Sequence, residues 1–155
     1  MPDILLATFL FFLMVGGILS FFQNIQTSSQ SGISRKTLDT TASNIAEFII
    51  KNKGTPENWE TYSDFNSIQS IGLAQKDRVL REEKVVAFVN QSNSNYEQVK
   101  NKLNITNYDF YASFEGGATI SAGVFPPSNA SVSVVRRLVT INGIETKFTF
   151  ILYEE

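Results

Sequence analysis

Ile4-Leu5-Leu6-Ala7-Thr8-Phe9-Leu10-Phe11-Phe12-Leu13-Met14-Val15-Gly16-Gly17-Ile18-Leu19-Ser20-Phe21-Phe22 runs for 19 residues without a charge, and its reading decides the fold. At ~1.5 Å per residue, a helix of that length reaches across a ~30 Å hydrocarbon layer. Three readings compete. A cleaved secretory signal wants basic residues ahead of it, a core of about 7 to 15 apolar residues and a small-x-small site behind it, and none of the three is present. A plain transmembrane anchor fits the hydropathy alone. The third reading is a helix that starts in the membrane and ends in a bundle of its own copies. Two features favour it. Asp3 stands one residue ahead of the run, where burial of a carboxylate is costly unless it is paired. In a bundle it could pair with the α-amino group of Met1 on the adjacent subunit and set the axial step. Pro2 suits a first helical turn, whose N–H has no partner in any case.

The second feature lies further along the chain. Beyond Phe22 come Ile25, Ile33, Leu38, Ala42, Ile45, Ala46, Ile49 and Ile50. From Leu38 the spacing is i, i+4, i+7, i+8, i+11, i+12, which draws one apolar stripe on a helix. Lys51 and Lys53 suit a helix C-terminus, and Gly54 follows as a left-handed cap. An unbroken helix from Pro2 to Lys53 would be on the order of 75 Å long. Its weak points are Gly16-Gly17 and Ser28-Ser29-Gln30-Ser31-Gly32, poor in helix formers. In a bundle, Gly16 and Ser20 would offer a small-residue face with Gly17 beside it. Phe9, Phe11, Phe12, Phe21 and Phe22 would interdigitate around that face as a filament core.

After Gly54, Thr55-Pro56-Glu57-Asn58-Trp59 carries turn chemistry, with Trp59 read as a core plug over the stripe. Residues 60–76 show no sustained period and read as loop, pinned by Ile68, Ile71 and Leu73. Residues 78–89 and 95–103 read as two short helices separated by the polar Asn90-Gln91-Ser92-Asn93-Ser94. From Tyr108 the period changes to two, and residues 108–114, 118–125, 131–141 and 145–153 read as four strands. Asn142-Gly143 between the last two is a type I′ hairpin signal. The expected fold class is therefore α+β. A long N-terminal helix, hydrophobic in its first half and amphipathic in its second, packs on a C-terminal domain with a four-stranded antiparallel sheet and short helices. The domains would be residues 1–53, with 4–22 as the membrane or filament-core segment, and 54–155, with the sheet from about residue 108.

Composition narrows function by exclusion. The chain has no Cys and no His, so thiolate or imidazole nucleophiles, acid–base pairs and zinc sites built on them are unavailable. The net charge of −2 provides no basic field for nucleic acid. Glu82-Glu83 and Glu154-Glu155 are adjacent carboxylates of the kind that sit solvated on a helix face and a tail. Gly116-Gly117 lacks the companions of a phosphate-cradling loop. No catalytic residue, metal ligand or cofactor site is expected, and the chain does not read as an enzyme. Three Asn-x-Ser/Thr sequons, at Asn90, Asn104 and Asn129, fall in the polar segments and are candidate glycan acceptors if this part of the chain is outside the cell.

Asp3-Ile4-Leu5-Leu6-Ala7, the helix running on beyond the apolar segment, and the C-terminal strands together resemble the archaeal type IV pilin-like proteins. The blocks Gly54-Thr55-Pro56-Glu57-Asn58-Trp59-Glu60, Ile71-Gly72-Leu73-Ala74 and Tyr108-Asp109-Phe110-Tyr111 are similar to the run of blocks in that family. The resemblance covers nearly the whole chain through short motifs. It implies a membrane-inserted precursor, cut by a prepilin peptidase and assembled by pilus machinery into an extracellular surface filament. Apolar helices would form its core and C-terminal domains its wall. Asp3 matches the acidic residue that the family ties to assembly. No basic leader precedes residue 1 here, so Met1 either follows the cleavage point or is the initiator. The expected function is thus a structural pilin subunit engaged in adhesion or surface contact, whose main partner is itself. The alternative is a monomeric membrane-anchored extracellular binding domain, a partner of the cell wall or of a motility machine.

Overall fold

The computed structural model describes the backbone of residues 2–62 and 64–154, and the side chains of residues 9, 11–18, 35–62 and 64–154. Helix α1 spans Pro2–Lys51. The chain divides into two compact units, Met1–Thr37 and Leu38–Glu155, and the division falls inside α1. The first unit is helical backbone. The second holds the hydrophobic core.

Within the second unit, the predicted stripe is what the core is built on. Leu38, Ala42, Ile45, Ala46, Ile49 and Ile50 are all buried in one cluster with the sheet. The end of α1 shows why the chain turns where it does. The last carbonyls of a helix have no partner within it, and here loop amides provide one: Leu73 N–H donates to the Ile49 carbonyl at 2.9 Å and Arg78 N–H to Ile50 at 3.3 Å. Just beyond the helix, Lys84 Nζ donates to the carbonyls of Lys53 and Glu57. This Lys84 is only 1% exposed, and its cation lies where the helix dipole favours positive charge. Burial lowers the Lys84 pKa below the ordinary lysine value, while the nearby Glu60 carboxylate acts in the opposite sense. Trp59, buried, donates its Nε1–H to the Gly72 carbonyl at 2.8 Å, and its ring lies where a Cβ on Gly54 would have to go.

Strands β1 (Gly54–Thr55) and β2 (Ser70–Ile71) form a small antiparallel pair. β3 (Ala74–Lys76) and β4 (Val79–Leu80) follow, then helices α2 (Glu82–Ser94) and α3 (Tyr96–Leu103). β5 (Asp109–Gly116), β6 (Ala118–Gly123), β7 (Ser131–Ile141) and β8 (Ile144–Glu154) complete the chain. The main sheet has the order β3-β4-β7-β8-β5-β6. Asn142 and Gly143, with φ of 50° and 80°, turn β7 into β8, which pair from Ser131↔Glu154 to Ile141↔Ile144. On the helical face, Phe110, Ala112 and Phe114 of β5 stand opposite Leu152, Phe150 and Phe148 of β8. Phe110 stacks with Phe88 of α2 at 6.1 Å and with Phe150 at 5.9 Å. Offset aromatic packing of this kind contributes about 0.5–1.5 kcal/mol per pair beyond area burial.

The expected fold class is corrected by this arrangement. The sheet is six-stranded and mixed, not four-stranded and antiparallel, because β4 runs parallel to β7 through Val79↔Thr140 and Leu80↔Ile141. The helical element in the core of the sheet-bearing unit is the short stretch from Leu38 to Ile50, rather than a long N-terminal helix. Residues 60–76, expected as loop, contain β2 and β3 and two 3₁₀ turns, Trp59–Thr61 and Phe65–Ser67. Strands of two or three residues carry no period of their own and exist only through their neighbours. The expected break at residues 90–94 is absent, since α2 continues to Ser94 and the junction with α3 falls at Asn95. Phe88 and Ser92, one turn apart, both face inward and hold that last turn down.

Candidate assembly surface

Residues 9 and 11–18 carry the described part of the apolar run. Phe9, Phe11, Phe12 and Met14 are 64%, 63%, 67% and 73% exposed, and Leu13 and Ile18 are also exposed. Phe11 and Phe12 meet edge to face at 6.0 Å. Gly16 and Gly17 are exposed, and a Cβ added at either would meet nothing within 4 Å. A second backbone can therefore approach closely there. Met1 lies outside the described residues, as do the side chains of Asp3, Ser20, Phe21 and Phe22. Among the described residues no helix is long and apolar enough to cross a membrane, and the side chains of residues 4–8, 10 and 19–22 are not among them.

The three sequons sit in three different settings. Asn90 is exposed on α2, but Ser92 of its triplet is buried, its hydroxyl without a hydrogen-bond partner. Asn104 is the left-handed cap of α3 at φ 58°, its N–H donating back to the helix end, with Thr106 exposed. Asn129 is exposed in the turn after Pro126-Pro127, and Ser131 of its triplet is exposed as well. Asn104 and Asn129 are thus the acceptors whose asparagine and hydroxyl are both exposed outside a helix.

Several charged groups of the sheet-bearing unit hold its elements together. Glu47 of α1 accepts from Arg137 Nε of β7 at 2.5 Å and pairs with Lys51 at 2.8 Å. The Arg137 hydrogen bond, helped by that of Lys51, lowers the Glu47 pKa from its ordinary 4.5 to about 2. Lys100 reaches Asp109 at 2.9 Å. The Tyr96 hydroxyl donates to Asp109 at 3.1 Å and accepts from the Phe110 N–H at 2.8 Å. Apart from the Glu47–Lys51 pair within α1, each of these contacts ties a helix to a strand. Among the described residues no group of three or more His, Cys, Asp or Glu side chains is placed to hold a metal ion.

The apolar residues on the outer face of the sheet were not singled out from the sequence. Val132, Val134 and Leu138 of β7 point away from the helices and are exposed, while Val135 and Val139 face the core. The signal was present in Ser131-Val132-Ser133-Val134-Val135-Arg136-Arg137-Leu138-Val139, where apolar residues occupy both parities of the alternation. No family model matches the chain, and neither the curated proteins nor the solved structures provide a match.

Proposed function

We propose that the chain is a structural subunit that polymerises through its N-terminal apolar segment, residues 4–22, into an extracellular surface filament of the archaeal type IV pilus kind, serving adhesion or surface contact. The observation that carries this reading is the apolar surface of residues 9–18, where three phenylalanines and a methionine are more than half exposed in the single chain. Transfer of such a surface from lipid into a bundle of copies changes little hydrophobic energy, so close packing has to drive the association. The open Gly16-Gly17 surface supports that packing. The uncharged run preceded by Asp3 supports a membrane-inserted precursor handled by a prepilin peptidase and assembly machinery.

N-terminal sequencing of protein recovered from sheared surface filaments tests the reading. A processed chain in filaments is the expected result. Recovery of unprocessed protein in the membrane fraction alone would overturn it in favour of a monomeric anchored domain. Asp3→Ala is expected to abolish filaments while membrane insertion persists, and normal filaments from that variant would remove the proposed pairing of Asp3 with a neighbouring α-amino group.

A further inference from the structure

Asn142-Gly143 is the one Asn-Gly pair in the chain, and such a pair has a reaction of its own. The backbone nitrogen of the residue after an asparagine can attack the side-chain carboxamide, and glycine, with no side chain, hinders that attack least. The Gly143 nitrogen gives up its proton and bonds to Cγ of Asn142. The Cγ–Nδ2 bond breaks, ammonia leaves with a proton, and water then opens the succinimide ring to aspartate or isoaspartate. Both residues are exposed, and a Cβ at Gly143 would meet nothing within 4 Å, so neither burial nor crowding stands in the way. Two features of the fold do. The turn from β7 to β8 has φ of 50° at Asn142 and 80° at Gly143, the type I′ geometry, whose first central residue has ψ of about +30°. At that ψ the Asn142 Cβ and the Gly143 nitrogen lie on nearly opposite sides of the Cα–C bond, and Cγ reaches the nitrogen only if the turn rotates. The second feature comes from 60 residues away in the chain: Asn142 Nδ2 donates to Glu82 Oε2 in the first turn of α2.

We propose that Asn142 is a site of spontaneous deamidation whose rate is set by Glu82, which pins the carboxamide to α2 and withholds it from the Gly143 nitrogen. Ring closure has to break this clip, since one carboxamide cannot be held against the helix and lie over the following peptide at the same time. Once the reaction has run, the clip cannot form again. The new carboxylate at position 142 has no N–H to donate and faces the carboxylate of Glu82, while Glu83 lines the same small cavity as Asn142 and Gly143. Like charges at that distance push the turn away from the helix. Isoaspartate adds a backbone carbon inside a loop whose length fixes the hairpin register, next to the terminal Ile141↔Ile144 pair. Glu82, Ile141, Asn142 and Ile144 also line the pocket of about 230 Å³ between α2 and the sheet, so loss of the clip loosens one wall of that pocket. The reaction takes place within a single chain, and it stands apart from the polymer reading.

Ageing the full-length chain in detergent at mildly alkaline pH, followed by peptide mapping, tests the proposal. The readout is the peptide that spans Asn142, through its mass gain from amide to acid and its isoaspartate content. Glu82→Ala is expected to convert several-fold faster than the unmodified chain. Glu82→Gln, whose side-chain oxygen still accepts from the carboxamide, should stay close to the unmodified rate, and so should Glu83→Ala, which removes the neighbouring charge but not the clip. Equal rates in Glu82→Ala and the unmodified chain overturn the proposal, as does an equal acceleration by Glu83→Ala. Slower conversion in Glu82→Ala overturns it too, because the carboxylate would then be promoting the reaction. The Trp59 unfolding transition of each variant separates loss of the clip from loss of the fold. In the unmodified chain, conversion at Asn142 is expected to lag well behind conversion in urea, and equal rates there overturn the proposal whatever the variants do.

Discussion

The units Met1–Thr37 and Leu38–Glu155 are both rich in large apolar side chains, yet they place them in opposite environments. Phe88, Phe110, Phe148 and Phe150 are fully buried among one another, whereas Phe9, Phe11 and Phe12 are exposed to roughly two-thirds of their surface. The difference lies in neighbours rather than in residue type. In the second unit each apolar face meets another within the same chain: the stripe of residues 38–50 meets the sheet, and α2 meets β5 and β8. In the first unit the large apolar side chains described between Phe9 and Ile18 are exposed, and in the proposed function lipid or other helices would cover them. One unit buries its large apolar side chains by folding, whereas in the proposed function the other would have them covered by lipid or by its own copies.

The strongest way to break that comparison is to remove equivalent rings from each side. Phe110→Ala, at the centre of the ring stack, is expected to destabilise the sheet-bearing unit by about 3–5 kcal/mol, read from urea unfolding of the full chain in detergent by far-UV and Trp59 signals. Phe12→Ala should leave the Trp59 transition unmoved, and a shift comparable to that of Phe110→Ala would show that the two rings do the same job. A smaller effect is expected at Lys84. Lys84→Met keeps the apolar stem but leaves the Lys53 and Glu57 carbonyls without their donor, and should cost about 2–3 kcal/mol in the same measurement. An unchanged midpoint would mean that the ammonium group does not anchor the segment after α1.

The smallest effect sharpens the comparison through pH. Glu47 has a depressed pKa in the folded chain, so between about 2 and 4.5 the unfolded chain binds more protons than the folded one. The stability it contributes is present above pH 4.5 and is lost as pH falls toward 2. With the carboxylate about a quarter exposed, solvent screening brings the effect to about 1–2 kcal/mol. Glu47→Gln should flatten the acid limb of a stability-against-pH curve over that window. An unaltered curve would place the acid sensitivity elsewhere.

Much of this was legible in the chain because the signals are local. The i, i+4, i+7 stripe from Leu38 marked the helix face that becomes core, and Asn142-Gly143 marked its turn because only residues tolerant of positive φ suit both positions. Strands β3 and β4 were not legible. With Val79 and Leu80 the only residues of β4, no alternation can be read, and what makes it a strand is the parallel pairing with β7, more than fifty residues away. The run Asn90–Ser94 looked like a break because Asn and Ser favour local hydrogen bonds over helix, and burial of Phe88 and Ser92 overrides that preference. At the surface, the sequence singled out residues 4–22 by their density of Phe and Leu. It passed over β6, whose small, uncharged residues have no signal until the strand order places them at an edge.

By itself, then, the sequence determined which segments are apolar and with what period, that chemistry needing His or Cys is excluded, and where the final hairpin turns. These follow from side-chain type and spacing alone. Only the tertiary structure decided that the sheet has six strands with one parallel pair, that Lys84 is buried at the end of α1, and which strand is left with a free edge. Those outcomes depend on hydrogen bonds and burial between residues far apart in the chain, where no local preference reaches.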